Sequence, residues 1–594
     1  MSYQAPLKEI RFALEQAELT AVCTLPGYED CNVELTDAIL DEAAKFAEGV
    51  LDPINRAGDK GNVWADYAVT TAEGFSEAYA QFRDSGWGGL RAPQAFGGQG
   101  LPALVAMATE EMWCASNLSF SLAPLLTLGA IEALAHHADA ELQAVYLPNM
   151  CAGIWTGTMN LTEPQAGSDL AQVKTRAVPA DDGSYLITGQ KIFITWGEHD
   201  MADNIVHLVL ARLPDAPAGV KGISLFVVPK FLVNADGSLG ARNDARCVSI
   251  EHKLGIHGSP TAVMSFGDEG GAVGYLVGEA NKGLSYMFTM MNHARLGVAV
   301  EGMAISERAY QQAVDYARDR VQSRELGSPN PAPAAIIRHP DVRRMLMTMR
   351  AQIEAQRLLT YLAGATLDRA SHHPVAAEKA RNQALVNFLI PIVKGWNTEQ
   401  ANEITSLGVQ VHGGMGFIEE TGAAQYYRDA RITSIYEGTT GIQAMDLIGR
   451  KLASENGATA RALLEAVKGD AARLDALGAP FAATRAHLEA GVAAAEACID
   501  YVLANFATAP QGPAAGSVPF LKLMGILLGG WQLARAALVV DAQRQNADAD
   551  TAFIDAKQIT ARFFGEHLLP QVPGLAAAIT GGADSALALD DAAF

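Results

Sequence analysis

Apolar residues recur every three or four positions through the first 155 residues, with acidic and polar side chains between them. Residues 36–50 (TDAILDEAAKFAEGV) show the pattern clearly. That period matches one buried stripe along an α-helix and predicts a helical N-terminal domain over 1–155. APQAFGGQGLP (92–102) breaks the pattern with three glycines and two prolines and reads as a loop. From 156 to 280 the segments become short. YLITGQKIFIT, NIVHLVLARL, KGISLFVVP, RCVSIEH and TAVMSFG are rich in Val, Ile, Phe and Thr and are punctuated by Gly, Pro, Asn and Asp. They predict a compact central β domain. After Asn281 the helical period returns, with Leu296, Val300, Met303, Tyr310 and Val314 on one face of a long helix. Helical runs continue to 452, interrupted by PNPAPA (329–334) and GGMG (413–416), and an Ala-rich helical tail fills 453–594. The order helical, β, helical, helical predicts a multidomain α + β chain.

Charge narrows the function. The 594 residues carry 44 Lys+Arg against 66 Asp+Glu, a net charge of −22. Nucleic acid and anionic lipid both select for a basic face, so neither is an expected partner. The tail from 451 holds 10 basic and 15 acidic residues, which is no basic arm. At 49% hydrophobic residues, the chain has ample material for a core and is not a disordered one. Six cysteines (Cys23, Cys31, Cys114, Cys151, Cys247, Cys498) form no CxxC pair and no zinc spacing, as in an intracellular protein with reduced thiols. MSYQAPLKEIRFALEQ has no apolar signal core. The apolar stretch 520–540 contains Lys522, Gln532 and Arg535, which fits a packed helix rather than a membrane span. A cytoplasmic protein with no membrane association is expected.

Four segments offer chemistry. MNLTEPQAGSDL (159–170) presents hydroxyls and backbone N–H groups on a turn suited to an anion or a heteroaromatic ring. GQKIFITW (189–196) alternates aromatic and hydroxyl residues. QVHGGMGF (410–417) puts glycines where a backbone must approach something closely. IYEGTTGIQ (435–443) places Glu437 between apolar residues and a glycine, a setting that raises a carboxyl pKa toward that of a general base. Taken singly, each has a plainer reading: a capped turn, a helix break, a solvated charge. Glu198-His199-Asp200 could suggest a metal, but adjacent residues seldom aim at one ion and a polar turn is the preferred reading, so no metal is expected. GxGxxG after a strand, GxxxxGK[ST], HExxH and GxSxG do not occur, which speaks against Rossmann, P-loop, zincin and α/β-hydrolase sites.

FGGQGL, MNLTEPQAGSDL, GQKIFIT, KLGIHGSPTAVMSF, NHARLGVA, QVHGGMGF and IYEGTTGIQ, in this order, resemble the acyl-CoA dehydrogenase family of flavoenzymes from about residue 35 to 452. The resemblance implies a helical domain, a β-barrel domain and a four-helix bundle, with FAD between the β domain and the helices. It implies removal of an α-proton from an acyl-CoA thioester and passage of the β-hydrogen as hydride to flavin N5, giving a trans-2-enoyl-CoA. Glu437 matches the base. The alternative base position of some relatives is Ala294, which cannot act. Thr162, Ser168, Phe193, Thr195 and Thr439 match FAD contacts. Arg320, Gln410, His412, Gly413 and Gly414 match residues that reach the FAD of a neighbouring subunit. Ser168, Arg295 and Gly438 match substrate-side positions, Arg295 being equally a structural ion pair. The base residue's N–H would help to polarise the thioester oxygen.

Two departures stand out: Gly441 replaces a frequent Gln four residues after the base, and RVQSREL lacks the usual phenylalanine after the arginine matching Arg320. APLKEIRFAL and PFLKLMGILLGGWQLARAA (519–537) resemble a bacterial subgroup of about 600 residues acting on medium- to long-chain acyl-CoAs or on 3-(methylthio)propanoyl-CoA. The same resemblance implies a homodimer and an electron-transfer flavoprotein as acceptor. An acyl-CoA oxidase and a flavin-bearing DNA-associated protein share the fold and stay open as alternatives. Pocket depth around 119–128 and 287–291 would set chain length, with Met287, Met290 and Met291 either lining it or forming core.

Overall fold

The computed structural model describes residues 2–546 and 549–594. The expected stripe over 36–50 lies in a helix, Val33–Phe46, whose Leu40, Ala43 and Ala44 are buried, and which runs on through Ala47–Leu51. Asn32 caps it by accepting from the Leu35 N–H at 2.8 Å. The apolar helices Ala103–Ser116 and Leu118–His137 are the centre of the N-terminal region. A small hairpin, Val63–Ala65 with Ala68–Thr70, departs from the all-helical expectation. It docks on the β domain, where the Trp64 indole donates to the Cys247 carbonyl at 2.9 Å. The loop at 92–102 folds back tightly: a β-carbon on Gly98 would lie 2.1 Å from the Ala92 carbonyl oxygen.

The five strand-like segments form strands at Tyr185–Thr195, Asn204–Ala211, Ser224–Pro229, Ala245–Ile250 and Thr261–Phe266. With Trp155–Asn160, Arg176–Pro179 and Ala272–Leu276 they make one eight-stranded sheet, antiparallel except where Trp155–Asn160 runs parallel to Asn204–Ala211. Asn204–Ala211 and Ser224–Pro229 are buried on both faces, whereas Thr261–Phe266 alternates buried and half-buried positions. Val209, Phe226, Cys247 and Met264, from opposite ends of the sheet, share one interior cluster, so the sheet folds over on itself. Val206, Leu208, Leu225 and Val227 turn the other way and pack against the helices. Met287 and Met290 belong to this second core.

The bundle consists of Gly283–Asp319, Pro340–His372 and Ala376–His412, with Thr440–Asp446 against the last of these. Leu296, Val300 and Met303 are buried on the first helix, with Tyr310 and Val314 half-buried further along. The tail helix Ser517–Gln543 lies across the other two. Its glycines are required there, since β-carbons on Gly525 and Gly529 would stand 2.2 and 2.6 Å from the Trp396 ring. Leu118–His137 and Ser517–Gln543 are long and apolar enough to cross a membrane, but 83% of each apolar window is buried inside the protein.

Candidate active site

The TEPQAGSD turn is built around a buried ion pair. Glu163, 4% exposed, accepts from Lys191 Nζ at 2.8 Å, from the N–H groups of Lys174 (2.7 Å) and Thr175 (3.0 Å), and from Thr175 Oγ1 (2.6 Å). Burial alone would raise its pKa; Lys191 and these hydrogen bonds win and hold it at about 2. Lys191 lies on Tyr185–Thr195, so the pair ties the turn to that strand, as does the Ile192 N–H donating to the Thr162 carbonyl at 2.9 Å. The strand then bulges. Ala262 faces Ile194 but Met264 faces Lys191, one extra residue on the Tyr185–Thr195 side. Phe193 takes a left-handed φ of 59° there and is aimed outward, 58% exposed. Thr162, Phe193 and half-buried Thr195 thus share one rim of the β domain, with exposed Ser168 on the attached turn.

A second group forms at the far end of the bundle. His412 donates from Nδ1 to the Gly408 carbonyl at 2.7 Å and stacks on Tyr316 at 4.4 Å. Its Nε2 is buried without a partner. Gln410, Gly413, Gly414 and Arg320, one turn beyond Tyr316, are exposed, and a β-carbon on Gly413 or Gly414 would meet nothing within 4 Å.

The third group surrounds Glu437. It sits between the 3-10 turn Arg431–Ser434 and Thr440–Asp446, the latter capped by exposed Thr439 accepting from the Ile442 N–H at 3.4 Å. Its carboxylate makes no hydrogen bond or ion pair among the described residues. The residue is half-buried, and burial lifts its pKa to about 7 against the pull of Arg295 and Lys394. Arg295 is 6% exposed with its Nε unpartnered; burial lowers its pKa while Asp446 and Glu437 oppose that. It closes no ion pair among the described residues and acts on Glu437 only at longer range. Glu437 and the His412 group do not meet within one chain: from Lys394, which touches Gly438, to Gln410 the helix runs roughly 24 Å at 1.5 Å per residue.

A cavity of about 40 Å³ lies between the helices Ala103–Ser116, Leu118–His137 and Gly283–Asp319. Trp87, Arg91, Glu110, Trp113, Leu128 and Gly297 line it. Gly297 is one turn from Glu301, which accepts a hydrogen bond from the hydroxyl of Tyr436, the residue before Glu437. Burial raises Glu110 to about 7 despite Arg91. Leu125 and Leu128 reach the cavity, whereas Met287 and Met290 are buried in the core between the Leu118–His137 helix and the sheet, the core alternative for these two residues.

Glu198, His199 and Asp200 point apart. Glu198 pairs with Lys230 and with Arg242 (3.1 Å), His199 Nε2 meets Thr156 Oγ1 at 2.9 Å, and Asp200 accepts from Thr71. Only Asp200 is exposed, so the expected polar turn is a largely buried network. Among the described residues no group of His, Cys, Asp and Glu is placed to hold a metal ion.

The structure thus holds an outward aromatic on a β-domain rim, a half-buried carboxylate with a pKa near neutral, and a narrow cavity among the helices. The acyl-CoA dehydrogenase N-terminal, middle and C-terminal domains match residues 34–154, 158–268 and 281–453, and the acetyl-CoA dehydrogenase C-terminal-like domain matches 458–590. The chain is 49% identical to a 3-methylmercaptopropionyl-CoA dehydrogenase of Ruegeria pomeroyi, over 99% of each chain. It is 34% identical to a butyryl-CoA dehydrogenase of Syntrophomonas wolfei, over 100% of this chain and 99% of the other. An acyl-CoA dehydrogenase from Bacillus anthracis, solved with FAD, superimposes with a TM-score of 0.74 at 20% identity over 95% of this chain and 90% of that one. The chain belongs to the acyl-CoA dehydrogenase family, and it is an FAD-dependent enzyme acting on acyl-CoA thioesters.

The residues fit that cofactor. An outward phenylalanine suits a planar ring, and the exposed, uncrowded backbone of Gly413 and Gly414 suits a pyrophosphate. The sequence reading did not single out Glu163, Lys191, Glu301 or Lys394. One signal was available for the last two: each is a lone charge in an apolar run, VAVEGMA and LIPIVKGW.

Proposed function

We propose that the acyl-CoA oxidised by this enzyme is 3-(methylthio)propanoyl-CoA, with Glu437 as the base that takes the α-proton. The observation carrying the reading is half-buried Glu437, a carboxylate with no hydrogen-bond partner among the described residues and a pKa lifted to about 7. Such a group accepts a proton at neutral pH without surrendering a structural bond. FAD, when bound, supplies the acceptor for the β-hydrogen and its electron pair. Thr162, Ser168, Phe193, Thr195 and Thr439 would hold it in one subunit, and Arg320, Gln410, His412, Gly413 and Gly414 would reach it from the other. The long separation of the two groups within one chain supports that homodimer. Ser168, Arg295 and Gly438 would face the thioester and the CoA chain.

The full-length likeness to the Ruegeria enzyme supports the substrate. The cavity adds to it: Glu110 and Arg91 close it with charge, which disfavours a long alkyl tail. Trp87 and Trp113 offer ring edges to a thioether sulfur. We place the enzyme in the cytoplasm, where its six free cysteines are stable, with an electron-transfer flavoprotein as acceptor. The test is a kinetic panel of acyl-CoAs on the FAD-loaded enzyme, with and without oxygen. The highest kcat/KM is expected for 3-(methylthio)propanoyl-CoA, without stoichiometric peroxide. A best substrate of eight or more carbons overturns the substrate assignment, and peroxide matching product overturns the acceptor.

A further inference from the structure

Glu437 and Gly438 both occupy left-handed backbone, at φ 54° and 92°. For a residue with a β-carbon this is a strained conformation. Such a conformation persists only where its surroundings impose it. Three contacts do so here. Lys394 Nζ donates to the Gly438 carbonyl at 2.7 Å. Gln443 Nε2 donates to the Glu437 carbonyl at 3.2 Å and to that of Gly438 at 3.4 Å. The Tyr436 hydroxyl donates to Glu301 on the Gly283–Asp319 helix. Lys394 is 0% exposed. No carboxylate lies within ion-pair distance of its ammonium among the described residues, and its one hydrogen bond there goes to the base loop.

A buried ammonium that serves a neutral carbonyl is expensive as a purely structural device. Its position explains it. We propose that Lys394 is a positioning residue for the reaction: through Gly438 it fixes the left-handed bend that presents Glu437, and it gives that carboxylate a second cationic neighbour beside Arg295. The inference rests on Glu437 being the base.

The charged and titratable groups around the loop come from every packed element. The Gly283–Asp319 helix contributes Arg295 and Glu301, and Ala376–His412 contributes Lys394 and Glu399. Asp446 and Arg450 follow the loop, and Glu110 and Cys114 stand behind Glu301. Glu301 is fully buried, and burial raises its pKa to about 8. Arg295 and Lys394 are the charges that oppose the burial of Glu437. Burial draws Lys394 down to about 8 against the pull of Glu437 and Glu301.

The test uses FAD-loaded enzyme and the fastest acyl-CoA of the panel, and reads the acid limb of kcat/KM against pH. Lys394→Met removes both charge and donor. Its limb is expected to move up by about 1 pH unit, with kcat lowered at all pH values. Lys394→Gln keeps a donor without charge; it should show the same shift with kcat near the parent value at high pH. Lys394→Arg keeps the cation and should leave the limb in place. Flavin content and thermal midpoint report folding. If Lys394→Met does not hold FAD, Lys394→Gln decides alone. Acid limbs of Lys394→Gln and parent that coincide overturn the proposal. A Glu437→Gln enzyme that bleaches its flavin at the parent rate overturns the base itself. An inactive Glu437→Gln with an unmoved Lys394→Gln limb overturns only the role of Lys394.

Discussion

Glu163 and Glu437 are the same residue type in the same protein interior, and they are prepared for opposite tasks. Glu163 collects a lysine, a hydroxyl and two backbone N–H groups, and its pKa falls to about 2. Glu437 collects none, keeps only the distant pull of Arg295 and Lys394, and rises to about 7. Burial pushes both upward; hydrogen bonding decides which one yields. A carboxylate whose lone pairs are all used is an anchor, here for the turn beneath Thr162 and Ser168. One whose lone pairs are free can take a proton from a substrate. The backbone follows the same division. Glu163 closes a turn with paired N–H and C=O groups to Ala166, whereas Glu437 needs left-handed geometry and neighbours that impose it.

The contrast breaks first at the base. Glu437→Gln is isosteric and cannot accept the proton, so single-turnover bleaching of the flavin by acyl-CoA should fall about 10²–10⁴-fold, with FAD retained. Parent-like bleaching would end the assignment. The anchor should fail differently. Lys191→Met strands the Glu163 charge in a 4% exposed site, and removing one partner of a buried pair costs about 3–5 kcal/mol. Thermal and urea unfolding should both report that loss, together with weaker FAD retention. Unchanged stability would show that the pair is not what secures the turn. A smaller effect is expected at Gly438. Its φ of 92° excludes a β-carbon without strain, so Gly438→Ala should cost about 1–3 kcal/mol. It should also lower kcat more than it raises KM, because the base moves with the bend.

Much of the layout was legible in the chain because it follows from local physics. Short Val/Ile/Phe runs can bury both faces of a strand, and the five such runs are strands. The apolar period through Leu296, Val300 and Met303 is the buried face of a 37-residue helix. The hairpin at 63–70 was hidden because VWADYAVT is too short to show a period and owes its place to contacts with the distant strand at Cys247. The candidate site was legible only as a set of motifs in order. A lone Glu beside Tyr carries no mark of burial, and nothing in IYEGTTGIQ tells of the Lys394 that lies 43 residues earlier on another helix. Phe193 was visible as an aromatic in a strand, but its outward aim depends on a bulge set by register against Ala262 and Met264. The Met287–Met290 ambiguity was likewise tertiary, because a helix has a cavity side and a sheet side and spacing does not tell them apart.

The finest test of the contrast is the pH dependence of stability, where the two kinds of carboxylate have opposite signs. Below about pH 4.5 an unfolded chain takes up protons that native Glu163 refuses down to about 2, so its contribution is lost as pH falls through that window. Glu301 behaves like the base rather than the anchor. It is fully buried, its Oε1 has no partner, and burial raises it to about 8. From about pH 4.5 to 8 the native state keeps a proton that the unfolded chain has released, so stability falls as pH rises. Glu301→Gln keeps an acceptor for the Tyr436 hydroxyl and cannot titrate. It should match the parent near pH 5 and exceed it by about 3–4 kcal/mol at pH 8, roughly three pH units at 1.36 kcal/mol each. Thermal unfolding of the two proteins across that range measures the difference. Parallel curves would mean that Glu301 is ionised at neutral pH, and the base would then face a third charge, an anion, across Tyr436.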